Sequence, residues 1–304
     1  MKRVLLALVL LSMAAQSSEP VPVRIAYPSG LNGLLVKVIE KAGIAEKHGL
    51  KPTFTFFQYG PPMFEAVAAG NIDVVSTSLN PVASFLTKSP GSLEIFARLG
   101  QSSHGLLVQN EIKGDSINAL KGKSIAVSFN SDSHVDLLLA LKEAGLDPAQ
   151  DVKLLNTPPN ELGGLFSQKQ ADAVLIRQPQ LARFEEEKTG RVLTRWPHKY
   201  LAVATKDFLA KNPGVDVKLR AVFQEAIFFV AKYPEQAAEW FGEHLRVKPA
   251  LVRTSISEDP NYKADALEKI DVSVTSEFQK ETGERLSKIE QVGGIKKRPE
   301  LTFR

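Results

Sequence analysis

The chain has 304 residues, 43% hydrophobic and 24% charged, a balance that fits a globular protein of up to two ordinary domains and excludes a disordered or fibrous one. The formal net charge is +4, of which Lys2 and Arg3 supply two, and no basic stripe with interleaved aromatics occurs, so nucleic acid is not an expected partner. There is no cysteine, which excludes disulfides, cysteine nucleophiles and thiolate metal sites.

Lys2-Arg3 makes a positive n-region, Val4 to Leu11 a short apolar h-region, and Ser12-Met13-Ala14 or Ala15-Gln16-Ser17 a small-x-small cleavage site. This is the pattern of a secretory signal peptide over residues 1–17. The apolar run is shorter than the roughly 20 residues a membrane span needs. With no cysteine for lipidation, the mature chain is expected to start near residue 15 or 18 and to be soluble in the periplasm.

A β-branched strand over Arg24 to Tyr27 leads into Ser29-Gly30-Leu31-Asn32 and an amphipathic helix. Leu31, Leu34, Leu35, Val38, Ile39 and Ala42 give that helix one apolar stripe, and Gly49 is its expected left-handed cap. Thr53 to Phe57 reads as a strand, Pro61-Pro62 as a helix start, Ile72 to Ser76 as a central parallel strand, and Asn80-Pro81 as another helix opening. Leu93 to Leu99 and Leu106 to Gln109 read as two strands, followed by a polar loop from Glu111 to Lys123.

The same plan then repeats. Ser124 to Phe129 leads to Asn130-Ser131-Asp132-Ser133, a helix, a strand at Val152 to Asn156, a short helix, and Gln170-Ala171-Asp172-Ala173-Val174-Leu175. Arg24 and Asp73 are 49 positions apart, and Ser124 and Asp172 are 48 apart. Two βαβαβ units at matched spacing predict two α/β lobes with a ligand cleft between them. The expected division is residues 21–110 with 204–304 for lobe one and 111–203 for lobe two, the crossings near 110 and 203 acting as hinges. Val203-Ala204-Thr205 reads as a return strand, and the rest is largely helical, with Leu219, Val222, Phe223, Ala226, Ile227 and Val230 forming another stripe. Asp73 and Asp172 stand just before apolar strands, at the end of the sheet away from a cleft, so a strand-entry role is preferred to acid–base chemistry.

Four stretches carry a family resemblance: Ile44-Ala45-Glu46-Lys47-His48-Gly49-Leu50, Ala69-Gly70-Asn71-Ile72-Asp73-Val74, Leu120-Lys121-Gly122-Lys123-Ser124-Ile125-Ala126-Val127, and Ala144-Gly145-Leu146-Asp147-Pro148 running on to Pro158-Pro159. In order and spacing they resemble the periplasmic solute-binding proteins of ABC importers, within the nitrate, sulfonate, taurine and thiamine-precursor group. The resemblance implies a two-lobed α/β periplasmic-binding-protein fold of type II, a small-molecule ligand, a membrane permease as partner, a monomeric state and no cofactor. Many relatives carry a Trp-Asp-Pro-like segment after the strand containing the second aspartate. This chain has Ile176-Arg177-Gln178-Pro179 there, a fixed positive charge with no acid, which points to an anionic ligand.

Ligands of open α/β sheets meet the loops at the carboxyl ends of the strands. The candidate ligand contacts are therefore Ser29, Asn32, Tyr59, Ser78, Asn80 and His104 in lobe one, and Asn130, Ser131, Ser133, His134, Thr157 and Arg177 in lobe two. The Ser131 to His134 loop opens a helix, where N–H groups favour an anion; the alternative is plain capping by Asp132 or Ser133. Ser78 and Asn80 carry the same two readings. Arg177 is suited to fork onto a carboxylate, sulfonate or phosphate; the alternatives are a solvated loop arginine or one paired with Glu185 or a neighbouring lobe. His104 and His134 are donors to an anion or satisfied edge residues, and no spacing suits a metal. Tyr59, Phe129 and Trp196 are candidates for an apolar wall. Two other classes stay open: a sensor protein docking on a membrane receptor, and an enzyme on the same fold. The pyrimidine-synthesising enzymes of the group carry a cysteine-rich motif that this chain lacks.

Overall fold

A computed structural model describes residues 19–304; the signal peptide expected over residues 1–17 lies outside the described residues. The first half runs β1 (Val21–Tyr27), α1 (Leu31–Ala42), α2 (Ile44–Lys47), β2 (Leu50–Phe56), α3 (Gly60–Ala68), β3 (Val74–Thr77) and α4 (Leu79–Leu86). A long strand, β4 (Leu93–Val108), leads to β5 (Ser124–Val127), α5 (Asp132–Glu143), β6 (Lys153–Asn156), α6 (Pro159–Ser167), β7 (Ala173–Arg177) and α7 (Gln180–Glu187). A second long strand, β8 (Arg191–Thr205), returns to the helices α8 (Lys206–Lys211), α9 (Val215–Lys232), α10 (Pro234–Leu245), α11 (Pro249–Ile256) and α12 (Ser276–Gln291).

All eight strands join one sheet in the order β2-β1-β3-β8-β4-β7-β5-β6. β1 lies parallel between β2 and β3, and β5 lies parallel between β6 and β7, so the two halves have the same local plan. Between them β4 and β8 pair antiparallel from Leu93↔Thr205 to Val108↔Arg191, with irregularities at Ile95/Ala97, Arg98/Gly100 and Leu106/Leu107. β3 pairs with β8 from Leu201 to Ala204, and β7 pairs with β4 from His104 to Val108. One two-stranded ribbon thus belongs to both halves.

Each half is a sheet covered on both faces. β3 is buried along its whole length and β7 from Ala173 to Ile176, which is why both read as unbroken apolar runs. The α1 stripe meets Leu219, Val222, Phe223, Ala226, Ile227 and Val230 of α9 in one core, where Phe241 and Val252 join it. The opposite face of that half is closed by α3, α4 and the Leu286 and Ile289 side of α12. The second half has its own two cores, around Leu137 and Leu141 of α5 and around Phe166 and Phe184. Phe229 stacks on Trp240 with ring centroids 5.3 Å apart, one of several aromatic contacts that are helix packing. Among the described residues no helix is long and apolar enough to cross a membrane.

Three sequence expectations need correction. The first helix ends at Ala42, capped by Gly43 at φ 61°; Gly49 is also left-handed but follows the separate short helix α2. The two strands expected over 93–99 and 106–109 are one, because ladder pairing with β8 carries the polar Gln101-Ser102-Ser103 through. The return strand begins at Arg191 rather than at Val203; its polar first half, broken by Pro197, hid it from a hydrophobicity pattern.

Candidate functional site

The carboxyl ends of β1, β2, β5 and β7, joined by the loop after β6, converge on a cleft of about 570 Å³ whose lining includes Ser29, Tyr59, Ser131, Ser133, Arg177 and His244. A narrow extension of about 20 Å³ continues inward past Asn32, Ser78, Asp132 and His198 and shares Tyr59, Ser131, Ser133 and Arg177 with the main cleft.

The loops are held by local bonds. Gly33 N donates to Gly30 O at 2.8 Å, and Gly33 sits so close to Pro28 that an added Cβ would lie 1.9 Å from its carbonyl oxygen. That approach folds the β1–α1 loop back and presents Ser29, whose Oγ donates to Gln58 O at 2.9 Å and so ties two cleft loops together. In the second half Ser128 Oγ donates to Thr157 O at 2.8 Å, and Ser131 Oγ donates to Ser128 O at 2.7 Å. Ser131 is also the N-cap of α5, accepting from His134 N at 3.2 Å. The cap expected from Asp132 or Ser133 therefore belongs to Ser131. Ser133 is buried on the first turn of α5 and lines both the cleft and its extension.

Arg177 ends β7, its guanidinium turned toward the first half: a side chain placed on Gly30 would approach Arg177 Nη1 at 3.7 Å. Burial pushes the guanidinium down from its ordinary value, opposed by Tyr200 and Asp132, but an arginine stays charged throughout the working range. Among the described residues no carboxylate lies within ion-pair distance of it. The alternative partner, Glu185, is taken by Arg195 at 2.5 Å. A half-buried cation without an ion-pair partner favours an anion that joins it. Asn32 Oδ1 is likewise buried and lacks a hydrogen-bond partner among the described residues.

Asp132 begins α5 and meets the first half directly, accepting a 2.5 Å bond from Ser78 Oγ, with Arg285 of α12 at 3.8 Å. Burial raises its carboxyl above the usual range, while Arg285 and Ser78 pull the other way. Asp136, one turn on, lies 2.5 Å from Arg285 Nη1 and 3.0 Å from His104 Nε2. Burial would raise Asp136, but His104 and Arg285 outweigh it and hold the carboxyl below its ordinary value. A second cavity, of about 420 Å³, lies between β8 and α12 and shares Asp132 and His198 with the floor of the cleft.

Of the twelve sequence candidates, Ser29, Asn32, Tyr59, Ser78, Ser131, Ser133 and Arg177 come together in the cleft and its extension. Five stand apart. Asn80 is fully buried in the first turn of α4 with neither amide atom bonded among the described residues, and the N-cap position there is Ser78. His104 is fully buried at Asp136. Asn130 is an exposed turn residue at φ 59°. His134 stacks on Phe129 at 4.4 Å, with burial lowering its imidazole to about 4. Thr157 is buried, its carbonyl accepting from Ser128 and its hydroxyl facing Leu155 O at 3.3 Å. Of the proposed apolar wall only Tyr59 reaches the cleft; Phe129 stacks on His134, and Trp196 packs against the core under α5 and lines the second cavity.

The lining also contains residues that sequence reasoning missed. Ser128, Asn160, Gln178 and Gln180 adjoin loops already singled out, so a wider reading of those loops would have found them. His244, Leu245 and Arg246 come from the end of α10, which the sequence marks only as a packed helix. Phe56 joins them, its ring meeting His244 edge-on at 4.6 Å. Among the described residues no cluster of three acidic or histidine side chains suits a metal ion.

The chain is similar to known proteins along most of its length. A binding protein of Brucella abortus is 28% identical over 262 residues, covering 83% of this chain and 81% of that protein. The taurine-binding periplasmic protein of Escherichia coli is 29% identical over 216 residues, covering 67% of this chain and 65% of that protein. The alkanesulfonate-binding protein SsuA from Xanthomonas axonopodis pv. citri, solved with MOPS bound, superposes with a TM-score of 0.77 over 93% of this chain and 96% of that one, at 18% identity. The fold is thus that of the two-lobed periplasmic binding proteins. The model of the NMT1-like family matches residues 16–241, and the chain belongs to that family.

Proposed function

We propose that the protein is the extracytoplasmic substrate-binding component of an ABC importer, capturing a small organic anion of the sulfonate class between its lobes and delivering it to a membrane permease. The observation that carries this is Arg177, a half-buried guanidinium without an ion-pair partner among the described residues, in a cleft lined by Ser29, Ser131 and Ser133. Hydroxyls and a forked guanidinium together match the three oxygens of a sulfonate. A binding role rather than catalysis is supported by the relatives, which are named as binding proteins.

The division into lobe one, residues 21–110 with 204–304, and lobe two, residues 111–203, is part of this reading. So is closure on the ligand, with β4 and β8 as the shared strands that bend. Export to the periplasm, cleavage near residue 15 or 18, and a monomeric state complete the proposal; N-terminal sequencing of the exported protein tests the cleavage.

Calorimetric titration with benzenesulfonate tests the site. Losing a charge-assisted contact costs about 1.5–3 kcal/mol, so Arg177→Ala should bind roughly ten- to a hundredfold more weakly. Arg177→Lys should recover only part, since an ammonium cannot reproduce the planar fork. Unchanged affinity in Arg177→Ala would remove the main support for anion capture.

A further inference from the structure

Twelve arginines fall among the described residues, and ten of them stand within 4.0 Å of a carboxylate. The two that do not are Arg177 and Arg246, and both line the same cleft. Arg177 lies at the inner end, where the narrow extension begins, and Arg246 is exposed at the rim, just past the end of α10. Among the described residues, the arginines without a carboxylate partner are confined to this cleft.

The rest of the lining has the same bias. No aspartate or glutamate is among the cleft residues described. The acid of the inner extension, Asp132, is occupied by Ser78 and Arg285. Glu258, behind Gln178, accepts from Gln178 Nε2 at 2.7 Å and pairs with Arg195 at 3.0 Å. An ammonium group entering the cleft would lose hydration and meet two fixed positive charges, with no acid lining the main cleft. The same lining carries aromatic and aliphatic side chains, Phe56, Tyr59, Leu162 and Leu245, set among neutral polar groups. A volume of about 570 Å³ is on the scale of an organic molecule, far more than an inorganic oxyanion fills.

We infer that the cleft selects a two-headed anion, with one oxyanion for Arg177, a second acidic group for Arg246 and a flat apolar body between, and that it discriminates against zwitterions. This rests on the anion-capture reading above and narrows it: the second head sets specificity, and Arg246 is the residue that reads it. Arg246 sits in the left-handed region at φ 57°, where glutamine is no more strained than arginine, so Arg246→Gln changes the charge without changing the turn.

Three probes separate the outcomes in calorimetric titrations at low salt: benzenesulfonate with one charge, 4-sulfobenzoate with two, and taurine as a zwitterion. The wild type should bind 4-sulfobenzoate at least about tenfold more tightly than benzenesulfonate, and taurine at least about tenfold more weakly than benzenesulfonate. Arg246→Gln should bring the ratio of the two aromatic affinities close to one, with Arg246→Lys in between. Equal wild-type affinities for the two aromatic probes, a ratio untouched by Arg246→Gln, or taurine binding as well as benzenesulfonate would each overturn the inference while leaving anion capture at Arg177 standing. If neither aromatic anion binds, both readings fail together.

Discussion

Ser78 Oγ donates a 2.5 Å hydrogen bond to Asp132 Oδ2, joining the N-cap of α4 in one half of the molecule to the first turn of α5 in the other. Both residues are buried, and the bond lies in the inner extension of the cleft beside Arg177. It is a direct polar link across the seam that the ligand is proposed to close. Ser78→Ala leaves Asp132 with Arg285 at 3.8 Å and favours separation of the halves. The expected result is benzenesulfonate affinity lowered about tenfold, equivalent to about 1.4 kcal/mol, together with a larger radius of gyration by small-angle scattering in the presence of saturating probe. Unchanged affinity and unchanged scattering would show that the bond plays no part in closure.

His134 gives a pH dependence that can be worked out in sign. Burial lowers its imidazole to about 4 from the ordinary 6.5, so between those values the unfolded chain binds a proton that the native state refuses. Stability from this group is complete above about pH 6.5 and falls as pH drops toward 4, by up to about 3 kcal/mol at 1.36 kcal/mol per pH unit. His134→Phe keeps a ring to stack on Phe129 and removes the titration. Its Tm, followed from pH 7 to pH 4, should fall less steeply than that of the wild type; parallel curves would contradict the assignment.

The matched aspartates turn out to do the same job twice. Arg24 N donates to Asp73 Oδ2 at 2.9 Å, and Ser124 N donates to Asp172 Oδ2 at 2.9 Å, each fastening the start of one parallel strand to the strand beside it. Burial would raise the Asp172 carboxyl, but the Ser124 N–H and hydroxyl hold it below its ordinary 3.8. That contribution is present above pH 3.8 and disappears as pH falls below it. Asp172→Ala should cost about 1.5–3 kcal/mol in urea unfolding. Asp73→Ala should cost toward the lower end, because its partner Arg24 is largely exposed. Neither should change the probe affinity, and a large affinity loss would argue against a purely structural role.

Gly33 allows no side chain. A Cβ there would meet the Pro28 carbonyl oxygen at 1.9 Å, a contact with backbone that no rotamer change relieves. Gly33→Ala should therefore displace the loop carrying Ser29, costing about 1–3 kcal/mol or more and weakening benzenesulfonate binding. A variant with wild-type Tm and affinity would mean that the loop yields freely.

The sequence made some of this legible and concealed the rest for definite reasons. The duplicated plan was readable because strand, loop and aspartate recur at fixed spacing, and Asp73 and Asp172 were correctly placed as strand-entry residues. The loops carrying Ser29, Tyr59, Ser131 and Arg177 were readable because α/β sheets present loops at their carboxyl ends. His104 and Asn80 misled because polarity near a loop does not say which way a side chain faces; one turns to Asp136 and the other into the first turn of α4. The continuity of β4 could not be seen because Gln101, Ser102 and Ser103 are polar yet paired to β8. Arg246 was invisible because it reaches the cleft from a helix end far away in sequence, a proximity no local pattern encodes.

The ribbon of β4 and β8 makes the two halves inseparable as pieces of polypeptide. A fragment comprising only residues 111–203 would lack β4, leaving the β7 edge from Ala173 to Arg177 bare and the β8 segment with nothing to pair to. Such an edge invites association with other chains. The complementary fragments, 19–110 and 204–304, would hold β4 without its returning partner. A cut at either boundary therefore separates strands that pair in the intact sheet. The repetition visible in the chain survives as an indivisible pair, each copy depending on strands that neither owns.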